Sequence, residues 1–455
     1  MKITFVGAGY VGLVSGACLS DFGHEVTCID TNPEKIELLS RGKSPIYEPG
    51  LEPLLQKGIG LKRLSFTTDW NQAIPEADVV FIAVGTPSSR RGDGYADLSY
   101  VYSAARTLAP LLKGYTVVVN KSTVPVGTAR EVSRIIKEVN PSTDIDVASN
   151  PEFLREGAAI YDFTHPDRIV IGADSERAQE KLKEVYRPLY LANTPFVATN
   201  PETAELTKYA SNAFLATKIS FVNEMANLCE AVGAHVGDLV HGLGLDKRIG
   251  PKFLHPGPGY GGSCFPKDTL SLVRIAQEHG APTRIVETVV EVNNAQKARM
   301  VRKIRQALGG NESGKTLAVL GLTFKPETDD LREAPAFSIL PPLMEKGLRI
   351  RAHDPVGMIE AKRLLPEIFY CGNPYEACEE ADAVCLMTEW NQYRALDLER
   401  VKSKMRQPIF IDLRNVYTPE IMKQAGFYYV SIGKKDVMTL LESQWPQKKE
   451  KRGSL

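Results

Sequence analysis

The chain has 455 residues, 43% of them hydrophobic and 24% charged, with Lys+Arg and Asp+Glu both at 55. That length is too great for one core and predicts about three domains of ordinary size. The neutral balance and the lack of any apolar run of roughly 18 residues argue against a nucleic-acid partner and a membrane span.

In chain order, KITFV at residues 2–6 is an apolar, β-branched run that suits a buried parallel strand. GAGYVG follows at 7–12 and opens a helical pattern to about Phe22. Gly23-His24 makes a turn, and EVTCID at 25–30 reads as a second strand. ADVVFIAVGTP at 77–87 and YTVVVNKSTVP at 115–125 are further strand-then-loop units, each closed by a proline. Strands alternating with helices mean βαβ units and a doubly wound sheet. The first residues hold no long apolar segment with a cleavage site, so no secretory signal is expected.

Near residue 200 the pattern changes. Asn200-Pro201 is a helix start, with Asn as the cap and Pro in the first turn. No Pro or Gly interrupts from Glu202 to about Val232; with the stretch from Asp268 to about Leu308, this predicts a mainly helical middle built on a long spine helix. KTLAVLGL at 315–322 then echoes the first segment: strand, glycine, a helix over 337–346, Gly347, and the strand RIRAHD at 349–354. ADAVCLMT at 381–388 parallels ADVVFIAV at 77–84. This is a second Rossmann-like domain without the later glycines of GxGxxG, and it carries a charged insertion, TFKPETDDLRE, where open α/β sheets bind ligands. The expected fold class is α/β, two Rossmann-like doubly wound domains joined by a central helical segment. Expected boundaries are 1–199, 200–310 and 311–440, with a flexible tail at 441–455 holding the basic run Lys448–Arg452.

GxGxxG alone is weak, but here it follows a strand, opens a helix and is followed by Asp30 at the end of the next strand. Gly7 permits the tight turn, Gly9 admits a pyrophosphate, and Gly12 allows close helix–strand packing. Asp30 suits the ribose hydroxyls and repels a 2′-phosphate; Thr31 and Asn32 follow, not arginine, so NAD is the expected cofactor.

The seven cysteines, at 18, 28, 229, 264, 371, 378 and 385, form no CxxC pair. Free thiols in a reducing, cytoplasmic compartment and no metal are expected. Cys264 stands apart in GYGGSCFPKD (259–268), behind a glycine-rich approach and just before Lys267 and Asp268. A structural thiol needs none of that company; a nucleophile does. Lys208 and Asn212 in ELTKYASN fall at i and i+4, on one face of the spine helix. A dehydrogenase that stops at an aldehyde or ketone needs no thiol. A thiolate implies capture of an aldehyde as a thiohemiacetal, oxidation to a thioester and hydrolysis, a four-electron conversion of a primary alcohol to a carboxylate.

GAGYVG (7–12), PIYEPGL (45–51), VGTP (84–87), STVPVGT (122–128), NPEFLREG (150–157), KYASNAFLA (208–216), GYGGSCFPKD (259–268) and FKPETDDLRE (324–333) together resemble the UDP-glucose/GDP-mannose dehydrogenase family, in order and over roughly residues 1–435. The resemblance implies oxidation of UDP-glucose with NAD. It makes Cys264 the nucleophile, with Lys208 and Asn212 holding the developing oxyanion. Asp268 orients or activates water, and Thr123 and Glu152 form a water-mediated proton relay. It implies cofactor contacts at Gly7, Gly9, Tyr10, Val11, Gly12, Asp30, Lys35, Thr86, Thr123, Glu156, Lys267 and Arg332. It implies sugar-nucleotide contacts at Glu152, Phe153, Leu154, Lys208, Asn212, Phe253, Leu254, Gly261 and Lys325. Arg248 would reach the substrate from a neighbouring subunit, which implies a homodimer or higher oligomer. His255, in a stretch where members vary, is expected to be exposed. The same chemistry on GDP-mannose or a UDP-N-acetylhexosamine is the nearest rival. A two-electron β-hydroxyacid dehydrogenase has no use for Cys264, and a silent NAD-binding protein none for the filled catalytic positions.

Overall fold

The computed structural model describes residues 1–89 and 94–435; the tail expected at 441–455 lies outside them. It forms two compact units, Met1–Ala213 with Lys267–Thr283, and Phe214–Pro266 with Arg284 onward.

The first unit is built on eight strands: β1 Lys2–Val6, β2 Glu25–Ile29, β3 Leu64–Thr67, β4 Val79–Ile82, β5 Thr116–Asn120, β6 Ile145–Ser149, β7 Ile169–Gly172 and β8 Phe196–Thr199. Their order is β3-β2-β1-β4-β5-β6-β7-β8. The first six give the doubly wound pattern, with the crevice where the order reverses between β1 and β4. All neighbours run parallel except β6 and β7, which meet antiparallel through Ser149 and Gly172. β4 and β5 are buried at every position because both sheet faces are covered. Phe5, Phe81, Val117 and Val119 pack into one core, while Val6, Val80, Ile82 and Val118 pack into another. That alternation is the period-two pleat seen from its two faces.

The second unit repeats the scheme with β9 Thr316–Leu320, β10 Arg349–His353, β11 Phe369–Tyr370, β12 Ala383–Leu386, β13 Ile409–Asp412 and β14 Tyr428–Ser431. Its order is β11-β10-β9-β12-β13-β14, all parallel. Here Asp354 follows β10 as Asp30 follows β2, but it is fully buried. Its carboxylate accepts the N–H groups of Leu322, Thr323, Val356 and Gly357 at 2.7–3.1 Å.

The spine helix runs Pro201–Val232, capped by Asn200, whose Oδ1 accepts Thr203 N–H at 2.8 Å. The stretch from Asp268 to about Leu308, expected to be mainly helical, holds two helices, Phe265–Glu278 and Arg284–Ala307. Gly280, with φ of 66°, and Pro282, which offers no N–H, break it. Among the described residues no helix is long and apolar enough to cross a membrane.

Candidate active site

The end of β1 turns through Gly7, whose φ of 103° favours glycine, and a Cβ there would lie 2.7 Å from the Ala83 carbonyl oxygen. A Cβ on Gly12 would lie 2.0 Å from the Gly7 oxygen, so the helix Tyr10–Asp21 packs tightly only without one. At Gly9 an added Cβ would meet nothing within 4 Å. This open space beside the first N–H groups of the helix is what a pyrophosphate requires. Asp30 accepts from Ala8 N–H at 3.1 Å, Asn32 N–H at 3.1 Å and Lys35 Nζ at 2.8 Å. Partial burial opposes its ionisation, but these donors hold its carboxyl below the usual range. The chain thus offers a charged acceptor for ribose hydroxyls, as NAD binding needs. Thr86 Oγ1 donates to the Thr123 carbonyl at 2.9 Å, joining the loops after β4 and β5. Val11 and Glu156 are partly buried.

Two motifs that looked separate in sequence are tied to this turn. The Tyr10 hydroxyl donates to Glu48, whose carboxylate also accepts Gly157 N–H at 2.6 Å and Ala159 N–H at 2.8 Å. Glu48 thus connects PIYEPGL, GAGYVG and NPEFLREG.

Below NPEFLREG lies a buried charged cluster. Lys208 Nζ meets Glu152 Oε1 at 3.0 Å, with the two side chains 4% and 8% exposed. Leu154 N–H donates to Glu152 Oε2 at 2.6 Å. Burial disfavours the carboxylate, but Lys208 and the Leu154 N–H keep its pKa below the ordinary value. Lys208 Nζ and the Arg168 guanidinium lie over the Phe153 ring, 5.3 and 3.5 Å from its centroid. One turn along the spine helix, Asn212 Nδ2 donates to Asp268 Oδ2 at 2.6 Å, and Lys267 Nζ pairs with Asp268 Oδ1 at 2.6 Å. A buried carboxylate held by an amide and an ammonium is fixed in orientation and remains an acceptor.

The sequence reading passed over Lys121, Asn150 and Tyr186. Lys121 Nζ, buried after β5, donates to Asn150 Oδ1 at 2.9 Å and Tyr186 OH at 3.2 Å. Burial lowers its pKa to about 7, with Glu152 opposing and Lys208 adding to the shift. The available signal was a lysine ending the apolar run VVVNK. Asn150 opens the motif NPEFLREG but was given no role, and Tyr186 comes from a distant segment with no pattern of its own.

In the second unit Cys264 is the residue immediately before the helix Phe265–Glu278. Six of the seven cysteines are buried, and Cys264 alone is partly exposed. Burial pushes the thiols of Cys18 and Cys28 up to about 12. Ser263 Oγ lies 3.5 Å from Cys264 Sγ. The glycine approach is clamped by amides. Asn293 Oδ1 accepts Tyr260 N–H at 2.8 Å, Gln296 Nε2 donates to the Gly257 carbonyl at 2.8 Å, and Asn223 Oδ1 accepts Gly257 N–H at 2.8 Å. A Cβ on Gly261 would lie 2.3 Å from the Glu333 oxygen, which brings this loop against TFKPETDDLRE. There Lys325 Nζ lies 5.5 Å from the Phe324 ring centroid and Arg332 Nε pairs with Asp330 at 2.8 Å. Phe253 adopts φ of 65°, Leu254 is buried, and His255 is exposed. Arg248 is 89% exposed at its side chain and pairs with Asp246 at 2.6 Å.

A doubly wound sheet that presents a glycine turn and an acidic ribose acceptor at its switch point defines an NAD-dependent dehydrogenase. Three models of the UDP-glucose/GDP-mannose dehydrogenase family match: the NAD-binding domain at residues 1–190, the central domain at 202–295 and the UDP-binding domain at 318–419. The chain belongs to this family. It is 58% identical over 438 residues to the UDP-glucose 6-dehydrogenase of Rhizobium meliloti (strain 1021), covering 96% of this chain and 100% of that one. Its fold matches a UDP-glucose dehydrogenase from Pyrobaculum islandicum with a TM-score of 0.85 and 41% identity, covering 91% and 94% of the two chains. A UDP-D-ManNAc dehydrogenase from Pyrococcus horikoshii matches at a TM-score of 0.85 and 27% identity, over 96% and 100%.

Proposed function

We infer that the protein oxidises UDP-glucose to UDP-glucuronate in two two-electron steps that consume two NAD+. The observation that carries this reading is Cys264: partly exposed where the other six thiols are buried, and seated at the start of a helix whose first turn holds Asp268. The bound cofactor supplies the hydride acceptor at each oxidation. Glu152, with Thr123 through water, takes the proton of the sugar's 6-hydroxyl as its C–H bond gives up a hydride. The Cys264 thiolate adds to the resulting aldehyde, and the ammonium of Lys208 and the amide of Asn212 stabilise the oxyanion of the thiohemiacetal. A second hydride leaves that carbon to give a thioester. Water oriented by Asp268 and Lys267 then cleaves it, returning the thiol and releasing the carboxylate. Gly7, Gly9, Tyr10, Val11, Gly12, Asp30, Lys35, Thr86, Glu156 and Arg332 serve the cofactor. Phe153, Leu154, Phe253, Leu254, Gly261 and Lys325 serve the UDP-sugar.

This assigns residues 1–199 to the cofactor, 200–310 to dimerisation and 311–440 to the UDP group, in a cytoplasmic homodimer or higher homo-oligomer. Support for the dimer comes from Phe214, Phe221 and Leu228, which recur every seventh residue on the spine helix and are 66, 47 and 51% exposed. Arg248 would then serve the neighbouring subunit.

The test is NADH formed per UDP-glucose consumed, with NAD+ in excess. A ratio near two supports the four-electron reading, and a ratio near one withdraws the thioester. The likeness to a UDP-D-ManNAc dehydrogenase supplies the second reading; faster turnover of UDP-N-acetylmannosamine than of UDP-glucose would favour it.

A further inference from the structure

Lys121 is an ammonium buried with neutral partners. It is 4% exposed and donates to an amide oxygen and a phenol, and among the described residues no carboxylate lies within ion-pair distance of it. Its charged neighbours are Glu152, which attracts it, and Lys208, which repels it. Tyr186, the other titratable group facing it, is kept neutral by burial. A buried charge without a counter-ion is expensive, and a methionine would fill the same space without that cost.

The hydrogen bonds show what the site accommodates. Tyr186 OH stands 3.2 Å from Lys121 Nζ and 2.6 Å from Asn150 Oδ1, and Asn150 Nδ2 is fixed on the Val170 carbonyl at 2.8 Å. With Lys121 charged, Nζ donates to both partners and Tyr186 donates to Asn150. With Lys121 neutral, the hydroxyl turns to donate to the amine lone pair while Nζ still donates to Asn150. Both protonation states are satisfied without moving a side chain.

We propose that Lys121 is a positioning residue that sets the proton affinity of Glu152: charged, it weakens Glu152 as a base, and neutral, it strengthens it. This rests on the reading that Glu152 accepts a proton during the first oxidation. With both lysines charged, Lys121, Lys208 and Glu152 together carry one net positive charge, and protonating Glu152 would leave two buried ammoniums that repel each other without the carboxylate between their charges. Loss of the Lys121 proton removes that opposition. Burial places that loss near neutral pH.

The experiment is single-turnover NADH formation from UDP-glucose between pH 5.5 and 9. It compares wild type with Lys121→Met, Lys121→Gln (which keeps a donor and an acceptor for Asn150 and Tyr186) and Glu152→Gln. Wild type should show a rate rising through neutrality. Both Lys121 variants should lose that limb and at pH 6 run about tenfold faster than wild type, the deficit one pH unit below a midpoint. Lys121 variants that keep the limb and only lower the rate at every pH would overturn the proposal and leave Lys121 a packing residue. Glu152→Gln at the wild-type rate would instead overturn the reading of Glu152 as the base, and the proposal with it.

Discussion

Glu205 poses a contest between two physical effects that a single substitution decides. It lies one turn before Lys208 on the spine helix and is 3% exposed. Its carboxylate accepts Gly127 N–H at 2.7 Å, Ala129 N–H at 2.9 Å and the Ser149 hydroxyl at 2.9 Å. Three donors, two of them at the start of the helix Thr128–Val139, favour the charged form. Burial disfavours it and prevails, raising the pKa from 4.5 to about 7. A carboxyl raised in the folded state contributes stability that is complete below the unfolded value and is lost as pH climbs through the folded one. Here that amounts to about 3 kcal/mol between pH 4.5 and 7. Glu205→Gln does not titrate, and any mismatch of its amide with the backbone donors is the same at every pH. The readout is therefore the Tm difference between variant and wild type. From pH 5 to pH 8 it should move in the variant's favour by about 3 to 6 °C, taking roughly 1 to 2 °C per kcal/mol for a chain of this length. Matched scans by calorimetry at one heating rate measure it. A difference that stays flat, or moves against the variant, would mean that the three donors win and Glu205 is ionised throughout.

Asp30→Ala should raise KM for NAD+ more than tenfold while KM for the sugar changes little, since the side chain stands at the end of β2 beside the glycine turn; equal shifts in initial-rate measurements would misplace the cofactor site. Lys208→Ala should lower kcat roughly 10²- to 10³-fold, the cost of removing one oxyanion-stabilising group. A loss below fivefold in a variant with an unchanged circular dichroism spectrum would contradict that role. Phe221→Glu puts a charge in the exposed stripe of the spine helix and should yield monomers in sedimentation velocity at micromolar concentration; an unaltered sedimentation coefficient would place the subunit contact elsewhere.

What was legible in the sequence was whatever local chemistry compels. The glycines at 7 and 12 announce their turn because a Cβ at either would collide with backbone, and Asn200-Pro201 marks a helix start whose cap forms as read. The buried runs VVFI and TVVVN are strands because both faces are covered. β7 and β8 went unread: each is four residues long, and β8 is half exposed, so neither period nor apolar run marks it. The site divides the same way. Cys264 stood out by its neighbours in the chain. Lys121, Tyr186 and Glu48 act through partners between 29 and 111 positions away in sequence, and no window on the sequence holds both ends.

The fate of Asp354 bears on how the reaction must be timed. The two sheets share a strand order and an acidic residue after the second strand, yet Asp354 is spent on four backbone N–H groups, two in the loop after β9 and two in its own, while Asp30 keeps a partly open carboxylate. The acid after β10 is therefore already occupied, and among the described residues the glycine turn with Asp30 is the one dinucleotide cradle of this kind. On the two-oxidation reading, that cradle must be emptied and refilled midway through each catalytic cycle while the half-oxidised sugar stays behind. A covalent bond to Cys264 is then a tether as well as an activation: it keeps a reactive aldehyde from escaping during the cofactor exchange that a single cradle makes unavoidable.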